Sequence, residues 1–235
     1  MIGAVLFDWN NTLVQFTWDD ELLAAGHRAA LGRDDADFTA RYRELMLGDV
    51  PRRPYAELLR ELGVDDPESF IDAEHEAWRP AHAVLGSARA LLESLHGRGI
   101  KTGVVANSWP EPARLLRADA ESSGLAPLLD TIVLSDELGV SKPQPEIFLH
   151  ALRQLGVEPE RAMFVGDRLE TDVQGAANVG MTTVQALWFT ADDNTLGIEP
   201  DFTAFTPMDV LNAVTRLGAW GGNGDRGAPV GAIAG

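Results

Sequence analysis

Four apolar residues, Ala4-Val5-Leu6-Phe7, stop at one carboxylate, Asp8, and a polar cluster, Asn10-Asn11-Thr12, follows after Trp9. A short apolar run closed by turn residues reads as a buried parallel strand, and such strands deliver their last residues to the rim where α/β ligand sites form. Asp8 is thus expected at a pocket mouth. The plainer alternative is that it only ends the strand and that the polar cluster makes a turn. From 16 to 85 the apolar spacing turns helical, with helices expected at 21–31, 37–47, 55–62 and 68–78 and no convincing strand. Four helices joined by short glycine- and proline-bearing loops suggest a small bundle, with Trp18, Phe38, Tyr42, Phe70 and Trp78 as its core.

From Gly86 onward helical and strand patterns alternate, which marks a parallel sheet with helices on its faces. Strands are expected at 101–106, 131–134, 161–165 and 182–187, and helices at 87–96, 110–119, 145–155, 171–179 and 207–217. The chain therefore divides into an α/β core of residues 1–15 and 86–218, a helical insert at 16–85, and a glycine-rich tail at 219–235 expected to be flexible. An insert behind the first strand would hang over the C-terminal rim as a lid.

Composition narrows the chemistry. The formal net charge is -17, so a nucleic acid or an acidic membrane surface would be repelled, and no local basic patch opposes the field. Cysteine is absent, which excludes disulfides, a thiolate nucleophile and cysteine-ligated metal. No apolar run reaches the roughly 20 residues of a membrane span, and no basic leader precedes the first strand, so a cytoplasmic protein, monomer or homodimer, is expected. The basic residues are nearly all arginine, and the only lysines are Lys101 and Lys142. A lysine kept in such a chain is a candidate for chemistry.

Polar groups recur where the strands end. Asn107 and Ser108 follow 101–106, Lys142 lies in Gly139-Val140-Ser141-Lys142-Pro143, and Asp167 follows Val165-Gly166, with Asp172 five residues on. Each alone is weak, since a strand must end in something polar. In their joint order with Asp8 the chain resembles the haloacid dehalogenase (HAD) superfamily, in its branch of phosphatase-like hydrolases with a helical cap after the first strand. The resemblance spans about residues 1–217. It implies a doubly wound parallel sheet of order 5-4-1-2-3 under a mobile cap. It also implies that Asp8 takes the phosphoryl group of a small phosphate ester, and that Mg²⁺ is held by Asp8, the backbone carbonyl of Asn10 and Asp167, with Asp172 in support. Physics agrees: carboxylates facing a dianion repel it until a hard divalent cation bridges them, and Lys142 neutralises the phosphoryl oxygens.

Two positions depart from the family pattern. Asn10 stands where the phosphatases carry a second aspartate as general acid and base, and an amide cannot exchange a proton near neutrality. Such assistance is worth roughly 10² to 10⁴ in rate, or about 3 to 5 kcal/mol. Ala106 stands where a serine or threonine usually holds a phosphoryl oxygen, and a lost hydrogen bond to a charged group costs about 1.5 to 3 kcal/mol. Ser108 and the Asn107 amide are the candidates to replace it. Three explanations stay open: a phosphatase for esters with good leaving groups, a different reaction on the same scaffold, or a protein that binds a phosphometabolite without turnover. Asn10 as an engineered trap belongs with the last.

Two relatives within the superfamily are disfavoured. The phosphonoacetaldehyde hydrolase type needs a cap lysine, and none lies between residues 1 and 100, while Lys101 begins its strand at the far end. The haloacid dehalogenase type needs no metal and lacks the Gly166-Asp167 pair. Substrate identity is left to the cap, where Arg52 and Arg53 are candidates for a second anionic group and the five histidines show no metal-ligand spacing.

Overall fold

The computed structural model describes residues 1–47, 54–110, 112–190, 194 and 196–220. In chain order the strands are β1 (Ala4–Phe7), β2 (Val14–Phe16), β3 (His82–Val84), β4 (Lys101–Ala106), β5 (Thr131–Leu134), β6 (Ala162–Gly166), β7 (Thr182–Ala186) and β8 (Phe202–Ala204). The helices are α1 (Asp20–Leu31), α2 (Ala36–Leu47), α3 (Tyr55–Glu61), α4 (Pro67–Trp78), α5 (Gly86–His96), α6 (Ala113–Ser122), α7 (Ser135–Leu138), α8 (Pro145–Leu155), α9 (Gly175–Asn178) and α10 (Pro207–Trp220). Among them no helix is long and apolar enough to cross a membrane.

Six strands form a parallel sheet in the order β5-β4-β1-β6-β7-β8. This is the expected doubly wound order with one added edge strand, β8. Period-two alternation builds both faces: Val5 and Phe7 of β1 join one apolar cluster with α5 and α10, while Ala4 and Leu6 join the other with α8 and α9. All four are fully buried, so each large side chain contributes about 1.5 to 3 kcal/mol by leaving water. The strands are parallel and centred on β1, so their C-terminal ends share one rim.

Helices α1 to α4 lie between β2 and β3 and pack on a cluster of their own that includes Leu23, Phe38, Leu59, Phe70 and Trp78. Local signals start them: Asp19 caps α1 by accepting from the Glu21 and Leu22 N–H groups, and Asp66 precedes Pro67 at the start of α4. The insert meets the sheet half through α6. Leu115 joins the insert's cluster, Arg114 pairs with Glu68 and Asp72, and His75 Nε2 lies 3.2 Å from Asp119 Oδ1.

Several boundaries differ from the sequence reading, each for a tertiary reason. Strands β2 and β3 pair antiparallel where none was expected, Phe16 opposite His82, because three-residue strands are too short to show alternation. Helix α6 begins at Ala113 rather than 110, since its first N–H is capped from a distance by Asp136 Oδ2 at 2.8 Å. The helix expected at 171–179 is a π-helical turn over Leu169–Gln174 followed by α9, opened where the Val173 N–H reaches the Arg168 carbonyl at 3.2 Å. Helix α10 continues through Trp220, past the expected start of the tail, whose remainder lies outside the described residues, as do Arg52 and Arg53.

Candidate active site

Asp8, Asn107, Ser108 and Asp167 are placed by strand ends, Lys142 by the loop after α7 and Asp172 by the π-helical turn. Asp8 leaves β1 with its N–H donating to the Val165 carbonyl of β6 at 2.9 Å. The chain then reverses at Asn11, whose φ of 57° is a left-handed conformation that asparagine tolerates. The Asn11 side chain holds the turn by accepting from the Phe16 N–H at 3.2 Å, and Trp188 Nε1 donates to the Thr12 carbonyl at 3.0 Å. Asn10 is left exposed on the rim of the cavity.

Lys142 is the centre of the charge arrangement. Its Nζ donates to Asp8 Oδ1 at 2.6 Å, lies 2.7 Å from Asp172 Oδ1, and stands 5.4 Å from the centroid of the Phe164 ring. Asn107 fixes its backbone from both sides: the Lys142 N–H donates to Asn107 Oδ1 at 2.8 Å and Asn107 Nδ2 donates to the Lys142 carbonyl at 3.1 Å. Ser108 is likewise committed, donating to Asp136 Oδ1 and accepting the Asp136 N–H at 3.1 Å. Both residues line the cavity beside Ala106, and each also holds a protein partner through its side chain. Gly166 lets Asp172 come close, because a Cβ there would sit 2.5 Å from Asp172 Cγ. Asp172 Oδ2 in turn accepts the Arg168 N–H at 3.1 Å.

Asp8, Asp167 and Asp172 each offer an oxygen within 4.8 Å of the others. Three carboxylates thus face one ammonium, and the crowding shows in the acidities of Asp8 and Asp167. Burial pushes the Asp8 carboxyl up from its ordinary value despite the pull of Lys142. Burial, and then the charges on Asp8 and Asp172, push Asp167 up to about 7. Burial works against the Lys142 ammonium, but Asp172 and Asp8 outweigh it and hold its pKa above the usual lysine value. Asp167 Oδ1 is buried without a hydrogen-bond partner. An orphaned carboxylate oxygen among oxygen donors with excess negative charge fits a hard divalent cation.

The cavity above this crevice has a volume of about 330 Å³. Its opposite wall comes from β2, β3 and the insert. Trp78 lies 5.4 Å from Phe16 and 5.2 Å from Trp18 between ring centroids, and Phe16 lies 5.1 Å from His82. Tyr42, Met46 and Glu74 also line it. Sequence reasoning passed over Glu74 and read His82 as a surface or packed histidine. Glu74 did leave a signal: it sits in a run at helical spacing, Phe70, Glu74, Trp78, where a lone carboxylate interrupts a buried stripe.

A parallel α/β sheet with carboxylates and one lysine gathered at its C-terminal rim, facing a helical insert, is the class of α/β proteins that hold their ligand at the strand tips. The chain belongs to the haloacid dehalogenase-like hydrolase family, whose model matches residues 2–180. It is 31% identical to a glyceraldehyde 3-phosphate phosphatase of Methanopyrus kandleri over 92% of this chain and 99% of that one. It is 29% identical to a phosphoglycolate phosphatase of Aquifex aeolicus over 88% and 94%. Among solved structures, an HAD phosphatase from Thermococcus onnurineus superposes with a TM-score of 0.70 at 26% identity, covering 91% of this chain and 98% of that one.

Proposed function

We propose that the protein is a Mg²⁺-dependent phosphatase of a small phosphorylated metabolite, working through a phosphoryl group carried on Asp8, with the insert as its cap. The observation that carries this reading is the Lys142 ammonium shared between Asp8 and Asp172, 2.6 and 2.7 Å away, beside the orphaned Asp167 oxygen. Asp8, Asp167, Asp172 and the Asn10 carbonyl would hold the ion. Once bound, Mg²⁺ supplies positive charge to the phosphoryl oxygens.

An Asp8 carboxylate oxygen attacks phosphorus in line, the P–O bond to the leaving group breaks, and Lys142 neutralises charge on the transferring oxygens. Water then attacks the same phosphorus, releasing phosphate and restoring Asp8. Asn107 positions Lys142 through its backbone and Ser108 anchors the β4 loop to α7, so both act by positioning. Asn10 has no proton to give in the first step and accepts none in the second. Esters whose leaving groups need no proton are therefore preferred, and both steps of alkyl ester turnover are slowed.

The Asn10 substitution also favours a second reading, a protein that binds a phosphometabolite without turning it over. One experiment separates the two: phosphate release from a panel of alkyl, aryl and acyl phosphates, with and without Mg²⁺, by this chain and by Asn10→Asp. The phosphatase reading expects Mg²⁺-dependent release from aryl and acyl esters, and alkyl turnover about 10² to 10⁴ faster in Asn10→Asp. Release from no ester by this chain, with release by Asn10→Asp, would make it the binding protein.

A further inference from the structure

The half of the cavity away from the crevice is lined by rings, several of which keep accessible surface. Tyr42 and Trp78 are buried in the insert's core, whereas Phe16, His82 and Trp109 are half-buried and Trp18 is exposed. Trp18, Trp78, Phe16 and His82 form one row, with successive ring centroids 5.2, 5.4 and 5.1 Å apart. The row is registered on the turn that follows Asp8: Asn10 bridges to Val14, and Asn11 Oδ1 accepts the Phe16 N–H at 3.2 Å. Two of its polar hydrogens are committed within the wall, Trp18 Nε1 to Asp20 Oδ1 at 2.8 Å and His82 Nδ1 to the Trp78 carbonyl at 3.1 Å. Among the described residues the insert brings no lysine or arginine to the lining, and its carboxylate there, Glu74, is buried with Oε2 bonded to Tyr55. Beyond the phosphoryl end the cavity therefore offers aromatic surface above all.

Two observations of different kinds converge on one leaving group. Asn10 has no proton to give, so the departing oxygen must be stable as an anion: a phenol, with an ordinary pKa of about 10, meets that demand far better than an alcohol, which is close to water at about 15.7. The rings supply the matching surface, since aromatic pairs at such spacings gain beyond the area they bury. We propose that this half of the cavity is a subsite for an aromatic leaving group, so that the preferred substrates are phosphate monoesters of phenols, with Phe16, Trp18 and Trp109 determining specificity. The cavity, about 330 Å³, is at the low end of small-molecule pockets, roughly 300 to 1,000 Å³, and suits one ring beside a phosphoryl group. As Asp8 forms its bond to phosphorus, the P–O bond to the ring breaks, its electron pair stays on the phenolate, and the phenolate takes a proton from water after departure. The inference rests on the phosphatase reading for the end of the cavity that takes the phosphate.

The test separates the ring from the chemistry by using ligands that cannot react. Kd is measured by calorimetry on the full chain with Mg²⁺ for phenylphosphonate, cyclohexylphosphonate and methylphosphonate, and phosphate release is followed from phenyl phosphate. Phenylphosphonate should bind about threefold to tenfold more tightly than its cyclohexyl counterpart, which matches it in size, and should lead methylphosphonate by more. Phe16→Leu should bring the phenyl and cyclohexyl affinities together. Trp18→Leu, at a residue that is 41% exposed and so expected to fold when replaced, should narrow the same gap. Equal or tighter binding of cyclohexylphosphonate, or a gap unchanged in both variants, overturns the inference, and release from phenyl phosphate then leaves the phosphatase reading standing. Absence of release from phenyl phosphate with phenylphosphonate still preferred overturns the phosphatase reading and supports the ring subsite. Binding of none of the three phosphonates overturns both.

Discussion

The crevice and the wall that faces it are built on opposite plans. In the crevice, Lys142 is held between Asp8 and Asp172 while Asp167 keeps an unpartnered oxygen, and the supports are the Val165 carbonyl for Asp8, the Asn107 side-chain amide for Lys142 and the Arg168 N–H for Asp172. In the wall, the polar atoms turn to one another, and the faces left toward the cavity are rings. The crevice stands on a sheet with a fully buried core, while the insert rests on its own apolar cluster and reaches the sheet half mainly through α6 and the two-stranded β2–β3 ribbon. Group transfer needs a fixed geometry and selectivity needs a replaceable surface, and the chain separates the two.

That contrast can be broken from the crevice side. Gly166→Ala would press a methyl group onto Asp172, displacing the partner of Lys142, so turnover should fall about 10²-fold and stability by about 1 to 3 kcal/mol, read by kinetics and thermal melting. Unchanged ester ranking in the residual activity would confirm that selectivity sits elsewhere.

A proton sharpens it next. Without metal, Asp167 titrates near 7, above its ordinary value, so a cation must displace a proton below that pH. Mg²⁺ affinity should drop about tenfold per pH unit below about 7, measured by calorimetry, and level off above it. The sign for stability follows from the raised pKa: between the ordinary carboxylate range and about 7 the folded protein binds the extra proton. The metal-free melting temperature should therefore fall as pH rises through that window, and Mg²⁺ should recover it. A flat profile would remove Asp167 from the metal site.

The smallest effect belongs to the contact between the two regions. Arg114→Ala removes exposed ion pairs to Glu68 and Asp72, which are worth about 0 to 1 kcal/mol, so melting should hardly move while KM and kcat shift together by a small factor.

Much of the crevice was legible in the sequence because its residues sit at strand ends, where an apolar run stopping at Asp8 or Gly166-Asp167 is visible locally. The sheet order followed from the family resemblance that those residues carry, apart from β8 and the β2–β3 ribbon, whose three-residue strands carry no period. The hydrogen bonds of Asn107 and Ser108 were not, because their partners Lys142 and Asp136 lie 35 and 28 residues away and nothing local announces them. The wall was the least legible part. Trp18, Tyr42 and Trp78 were read as bundle core, with Trp18 also a candidate pocket wall; Tyr42 and Trp78 do belong to that core, Trp18 is exposed, and Glu74 and His82 gain meaning only when α4 and β3 are laid against β2.

The central claim is that Asp8 carries the phosphoryl group while Asn10 leaves the second step without a base. Mixing the protein with acetyl phosphate and Mg²⁺, quenching in acid and mapping the modified peptide by mass spectrometry tests it directly, since acetate needs no proton to leave. A burst of acetate ahead of phosphate, with one phosphoryl group on the peptide that holds Asp8 and none in Asp8→Asn, is the predicted result. Phosphate release at an undiminished rate from Asp8→Asn, or a phosphoryl group on another residue, would contradict it.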